Sequence, residues 1–239
     1  MLGLPDAITT CLFDLDGVLT DTASVHRKAW KAAFDPLLAE RGMSPFTDED
    51  YDAHVDGKPR ADGVRDFLAS RGITLPEGDD DAPPGAQTVA GVGNRKNELL
   101  LERIHTDGVE VYEGSRRYLQ AARDAGLRRA VVSSSANTAD VLHVTGLEDL
   151  VEGRVDGNTL KEQGLRGKPA PDSFLAGAAL FDVDASRAVV FEDALAGVQA
   201  GRDGRFGYVV GVNRLDEQHG RQLGEHGASV VVGDLQELL

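Results

Sequence analysis

Ile8-Thr9-Thr10-Cys11-Leu12-Phe13-Asp14-Leu15-Asp16-Gly17-Val18-Leu19-Thr20 is the stretch that decides the fold. Its first six residues are apolar and β-rich, which predicts a buried strand. The run stops at two carboxylates separated by one residue. Asp14 and Asp16 reach a common site only if the strand gives way to a loop there, and Gly17 lets the backbone turn sharply. One carboxylate of such a pair can attack an electrophile while the other handles a proton. An acidic turn after a strand is the plainer alternative for Asp-x-Asp by itself.

Outward from this strand the texture changes. Between Ala23 and His105 the apolar residues recur at helical spacing, over Val25 to Ala39, Ala61 to Ser70 and Asn94 to Ile104. Pro76 to Gly93 is rich in Pro, Gly and Asp and reads as a loop. From Tyr112 onward strands and helices alternate. Leu127–Ser133, Ala188–Phe191, Tyr208–Val212 and Ser229–Val232 read as strands. Ser115–Ala125, Ala136–Val144, Asp172–Leu180 and Ala194–Arg202 read as helices. Alternation of this kind predicts an α/β core with a parallel sheet covered on both faces. The helical block then becomes an insert after the first strand. Residues 1–22 and 107–239 form the core, and residues 23–106 form an α-helical domain.

Bulk properties narrow the function. The chain has 239 residues and a net charge of −15, from 40 acidic and 25 basic side chains. That balance argues against nucleic acid and anionic membranes as partners, while a local basic site can still hold a small anion. The single cysteine, Cys11, lies in the apolar strand and reads as core filler; one thiol makes no internal disulfide. No basic leader with an apolar h-region precedes the strand, and no run approaches the roughly 20 apolar residues of a membrane span. The expected location is the cytoplasm.

Three later strand ends carry chemistry of the same kind. Ser133-Ser134-Ser135 follows the apolar run Ala130-Val131-Val132; hydroxyls and free amides there bind phosphate oxygens, or simply cap the next helix. Lys168 stands in the proline-bounded segment Gly167-Lys168-Pro169-Ala170-Pro171-Asp172, where a fixed cation can neutralise a phosphoryl group. Phe191-Glu192-Asp193 ends another strand in adjacent carboxylates, hard oxygen donors suited to magnesium or to helix capping. In an open parallel sheet ligands collect beyond the carboxyl ends of the strands, so all four features converge on one site.

Taken in this order, the motifs resemble those of the haloacid dehalogenase superfamily, over essentially the whole chain. Asp14-Leu15-Asp16-Gly17-Val18-Leu19-Thr20-Asp21 matches its first motif throughout. The resemblance implies a Rossmann-like parallel-sheet core with a helical cap, and a phospho-aspartate formed on Asp14. Asp16 then resembles the general acid/base, Ser133 and Lys168 the phosphate-binding pair, and Asp14, Asp193 and the backbone carbonyl of Asp16 the ligands of Mg2+. Glu192 would act on the metal directly or through water. An aspartate at position 16 suits an alcohol leaving group or an incoming hydroxyl, so mutase or phosphatase chemistry fits better than dehalogenation.

The insert opens Asp21-Thr22-Ala23-Ser24-Val25-His26-Arg27-Lys28-Ala29-Trp30, which is similar to the β-phosphoglucomutase branch of the superfamily. On that likeness His26 sits near the acid/base, Arg60 holds a distal phosphate, Gly57 and Lys96 approach the sugar, and Ser135 and Asn137 help with the distal phosphate. Two positions depart from the branch, with Asp56 and Ala136 where lysines are usual. His26 and Trp30, four residues apart, can also be read as one face of a helix. The implied activity interconverts β-D-glucose 1-phosphate and D-glucose 6-phosphate through a sugar bisphosphate, in a monomeric enzyme. The alternatives are a magnesium-dependent sugar-phosphate phosphatase and a non-catalytic binding protein. The second leaves the paired Asp14 and Asp16 unexplained.

Overall fold

The chain runs through β1 (Thr10–Phe13), α1 (Ala23–Ala39), α2 (Asp48–His54), α3 (Arg60–Ser70), α4 (Val89–Asp107), α5 (Glu113–Asp124), β2 (Arg128–Val132) and α6 (Thr138–Thr145). It continues through β3 (Gly153–Val155), α7 (Gly157–Gln163), α8 (Asp172–Ala179), β4 (Ala188–Glu192), α9 (Leu195–Asp203), β5 (Tyr208–Val212), α10 (Glu217–His226) and β6 (Val230–Val232). The structure is a computed structural model and describes residues 2–56 and 58–239. Gly57, expected near the sugar, lies outside the described residues.

All six strands pair in parallel, in the order β3-β2-β1-β4-β5-β6. The winding reverses between β1 and β4, so the carboxyl ends of these two strands border the switch point where open sheets bind ligands. Every residue of β1 and of β4 is buried, as a strand covered on both faces requires. Leu12, Ala130, Val132 and Val190 share a core with Phe174 of α8 and Val198 of α9. Side chains of the other parity face α5: Phe13 stacks on Phe191 with centroids 4.4 Å apart, and both rings meet Tyr118 edge-on. Phe13 directly precedes Asp14 and Phe191 directly precedes Glu192. The best-packed rings of this face therefore anchor the two strand ends that carry carboxylates.

The chain divides into two compact units, one comprising residues through Asp21 together with Val109–Leu239, the other Thr22–Gly108. The second is all-helical and has its own core, in which Phe34 packs against Phe46 and Phe67, with Leu38, Val64 and Val92 around them. No helix among the described residues is long and apolar enough to cross a membrane.

One boundary differs from the sequence reading. Pro76 to Gly93 is not loop throughout, because α4 begins at Val89, with Thr88 Oγ1 accepting the Gly91 N–H at 2.9 Å. Gly91 and Gly93 look like loop residues in sequence. At Gly91, however, an added Cβ would lie 2.5 Å from the Ala86 carbonyl oxygen, so the glycine serves a close backbone approach inside a helix. The preceding segment is tied to that helix by Asn94 Nδ2, which donates to the Asp80 and Ala82 carbonyls at 2.9 Å each. The sequence reading also lacked α2, β3, α7 and α10. Three of these helices start at side-chain caps, Thr47, Asp156 and Asp216, and the first carries a full capping box with Asp50.

Candidate active site

The site begins at the end of β1. Asp14 is 7% exposed, and its backbone N–H donates to the Phe191 carbonyl at 2.9 Å, so β4 fixes its position. After Asp14 the chain folds into a tight loop. Leu19 N–H and Thr20 N–H both donate to the Leu15 carbonyl at 3.0 Å, and Gly17 N–H donates to the Thr20 carbonyl at 2.8 Å. Gly17 adopts φ +82°, and the Asp193 carboxylate fills the space where a side chain would begin, with Oδ2 1.8 Å from an ideal Cβ. The loops after β1 and β4 thus close on each other, and only glycine allows it.

Lys168 lies in the segment before α8 and is buried. Its Nζ donates to Asp14 Oδ1 and to Glu192 Oε1, each at 2.5 Å, and to the Val132 carbonyl at 3.3 Å. The ring of Phe174 lies 4.8 Å from it. Burial alone would lower the proton affinity of this amine, but Asp14 and Glu192 raise it above the ordinary lysine value, so Lys168 stays charged. Asp14 is pushed well above the ordinary carboxylate range. Burial is the main cause, Lys168 works against it, and the charges of Glu192 and Asp16 add to it. Two buried carboxylates thus share one ammonium, and with both ionised the cluster is net negative.

Both carboxylate oxygens of Glu192 meet protein donors. One oxygen takes Lys168 and the other accepts the Ala194 N–H at 2.8 Å. The segment from Ser133 to Asn137 forms a loop tied by its own side chains. Ser133 is 1% exposed; its hydroxyl accepts the Ser135 N–H at 3.1 Å, and the Ser135 hydroxyl accepts the Asn137 N–H at 3.2 Å. Ser134 is half-buried between them, and Asn137 is buried ahead of α6. Cys11 is buried inside β1 and its thiol is pushed up to about 12 by burial, so it is not a nucleophile.

In the helical unit His26 and Lys96 come together across α1 and α4. Lys96 is buried, with Nζ 3.2 Å from His26 Nδ1 and 5.0 Å from the centroid of Trp30. With the ammonium as donor, His26 Nδ1 accepts and Nε2 carries the ring proton. His26 and Trp30 do share a helix face, and that face holds the lysine. Arg60 opens α3 and packs across Gly93, whose added Cβ would sit 3.3 Å from Arg60 Cγ. Its burial works against its charge, and Asp80 offsets part of that.

Two side chains that no motif singled out touch the catalytic loops. Arg214, after β5, donates from Nε to the Gly17 carbonyl at 2.8 Å. His219, in α10, approaches the Asp193 carbonyl with Nε2 at 2.8 Å, which puts the ring proton on that nitrogen. The available sequence signal was positional: both follow a further strand end on the same edge of the sheet.

A family model described as haloacid dehalogenase-like hydrolase matches residues 8–204. The chain belongs to that family. Among haloacid dehalogenase-like relatives, the β-phosphoglucomutase of Mycobacterium bovis is 58% identical over 247 residues, spanning 100% of this chain and 94% of its own length. The β-phosphoglucomutase of Bacillus subtilis is 31% identical, over 79% of this chain and 76% of its own. A crystal structure of β-phosphoglucomutase from Clostridium difficile superposes with a TM-score of 0.77, covering 97% of this chain and 93% of that one at 23% identity; that likeness concerns the fold.

Membership implies a divalent metal in general terms, and the donors here fit one. The oxygen-rich, net-negative cluster of Asp14 and Glu192, with Asp16 adding to its charge, calls for a second cation besides Lys168. Among the described residues no three Asp, Glu, His or Cys side chains are gathered as a ready-made metal group. A small hard cation tolerates that, because it keeps several waters and takes one or two carboxylates.

Proposed function

We propose that this chain is a β-phosphoglucomutase, interconverting β-D-glucose 1-phosphate and D-glucose 6-phosphate through β-D-glucose 1,6-bisphosphate. The observation that carries the proposal is the buried Asp14, held by Lys168 at the switch point of a chain 58% identical from end to end to a curated β-phosphoglucomutase. Asp14 is the nucleophile. In its phosphorylated form it donates the phosphoryl group to the C6 hydroxyl of β-glucose 1-phosphate, and Asp16 accepts the hydroxyl proton. The bisphosphate turns over, Asp14 attacks the phosphorus of the C1 phosphate, and Asp16 returns the proton to the departing C1 oxygen. Glucose 6-phosphate leaves, and Asp14 is again phosphorylated.

Lys168 supports both half-reactions by neutralising charge on the attacking carboxylate and on the phosphoryl oxygens, while Glu192 holds Lys168 in place. The hydroxyl of Ser133, whose orientation the Ser135 amide fixes, and the loop residue Ser134 receive the transferring phosphate. Asp14, the backbone carbonyl of Asp16 and Asp193 would hold Mg2+, which when bound supplies Lewis-acid stabilisation of the phosphoryl group. Arg60 supplies a guanidinium fork for the second phosphate, assisted by Ser135 and Asn137. Lys96, oriented by His26 and Trp30, contacts the sugar, and Gly57 is assigned beside it.

The test is a coupled assay with β-glucose 1-phosphate, magnesium and a trace of bisphosphate. Glucose 6-phosphate without free phosphate is the expected outcome. Release of inorganic phosphate with no isomer would overturn the mutase in favour of a sugar-phosphate phosphatase.

A further inference from the structure

The guanidinium of Arg214 reaches two separate parts of the α/β unit. Nε donates to the Gly17 carbonyl at 2.8 Å, and Nη2 lies 3.4 Å from the Val18 carbonyl. Nη1 donates to the Gly233 carbonyl at 2.9 Å and stands 3.4 Å from Asp234 Oδ2. The group lies over the Tyr112 ring, with its carbon 3.6 Å from the ring centroid, and its side chain is only 16% exposed. Every nitrogen of the fork is engaged, a geometry that lysine cannot reproduce. Ser115 Oγ donates to the same Val18 carbonyl at 2.6 Å, so the loop is held at adjacent carbonyls from two directions.

That loop carries Asp16 one residue before Gly17. Gly17 in turn has the Asp193 carboxylate packed where its side chain would be. The Asp193 segment is fastened from the same direction, through its carbonyl, by His219. None of the hydrogen bonds from Arg214, Ser115 or His219 involves a carboxylate of Asp14, Asp16 or Asp193. The clamp grips the backbone and leaves those side chains to the chemistry.

We propose that Arg214 is a positioning residue for phosphoryl transfer: it fixes the Asp16–Val18 loop against the Gly233–Asp234 turn and so sets the placement of Asp16, with His219 doing the same for Asp193. The proposal rests on the phosphoryl-transfer role assigned to this site. A loop placed about 1 Å away from its productive position costs roughly 10²-fold in rate, whereas binding contacts made elsewhere are unaffected. The guanidinium also fixes a positive charge behind the carbonyls beside a net-negative cluster.

The test compares Arg214→Gln and Arg214→Lys with the wild type. Arg214→Gln lowers kcat by about 10²-fold and leaves KM for β-glucose 1-phosphate within about 3-fold. Arg214→Lys, which keeps the charge and favours folding, still lowers kcat by at least about 10-fold. The readout independent of turnover is hydrogen exchange in metal-free protein. The amides of Gly17, Leu19 and Thr20 lose protection in Arg214→Gln, while those of Val190 and Val210 in the sheet keep theirs. Loop and sheet losing protection together, Arg214→Lys matching the wild type, or kcat staying within about 2-fold would each overturn the clamp. If the wild type itself yields no glucose 6-phosphate, the functional reading fails, and hydrogen exchange still decides whether Arg214 holds the loop.

Discussion

Among the described residues each unit buries one lysine, and the two are buried differently. Lys168 in the α/β unit sits between the carboxylates of Asp14 and Glu192. Lys96 in the helical unit sits on an imidazole nitrogen and the face of an indole. In the first, the ammonium is a counter-ion, and removing it strands two buried anions. In the second, the ammonium meets an imidazole nitrogen and the face of an indole. The first lysine is tied to the stability of its unit as well as to the proposed chemistry, and the second is the one we assign to binding.

The largest effect expected from this contrast is at Asp14. Asp14→Asn abolishes turnover, by on the order of 10⁴-fold or more. It also leaves Lys168 and Glu192 as a balanced pair, so the metal-free variant melts a few degrees above the wild type. Asp14 has a raised folded-state pKa, so the stability it contributes is present at low pH and is lost as pH rises through that raised value. The melting advantage of the variant should therefore grow as pH is raised above the ordinary carboxylate range. A variant that melts lower than the wild type at neutral pH would contradict the net-negative cluster.

Next in size is the direct comparison of the lysines. Lys168→Met costs about 3–5 kcal/mol, read by denaturant unfolding, because the carboxylates lose their partner. Lys96→Met keeps the stem on Trp30 and costs about 1 kcal/mol or less, while raising KM for the sugar phosphate. Equal losses of stability would break the contrast.

A smaller pair of effects concerns glycines. Gly17→Ala combines a left-handed backbone with displacement of the Asp193 carboxylate, costing about 1–3 kcal/mol and most of the activity. Gly93→Ala lies in ordinary helix, where alanine gains about 0.5–1 kcal/mol, and an Arg60 contact of 3.3 Å takes back part of it. Its melting temperature should hardly move, while inhibition by inorganic phosphate shifts as Arg60 is displaced.

Legibility in sequence followed the same division. Asp14, Asp16, Ser133, Glu192 and Asp193 stand at or just past strand ends, and β1 and β4 announce themselves as buried apolar runs. Lys168, read from sequence as a strand-end residue, instead lies between α7 and α8, and its signal was the proline-bounded segment around it. Short elements were harder to see. The three-residue β3 has no run long enough to stand out, and the helices after Thr47, Asp156 and Asp216 are polar, their starts marked only by the caps. Gly91 misled for the reason given above: in sequence, a glycine that serves a close approach looks like one that makes a turn.

The sequence by itself determined that carboxylates, hydroxyls and one lysine would collect at the carboxyl edge of a parallel sheet, because strand periodicity and apolar burial are local properties. Only the tertiary structure decided how they pair. Glu192 takes Lys168 and the Ala194 amide, Lys96 lies on Trp30 against His26, and Arg214 crosses from β5 to the loop after β1. Lys168 is 154 residues from Asp14, and Arg214 is 197 from Gly17. No periodicity spans such separations; the packing of strands and helices brings the pairs within hydrogen-bonding distance, where burial and charge give them their chemistry.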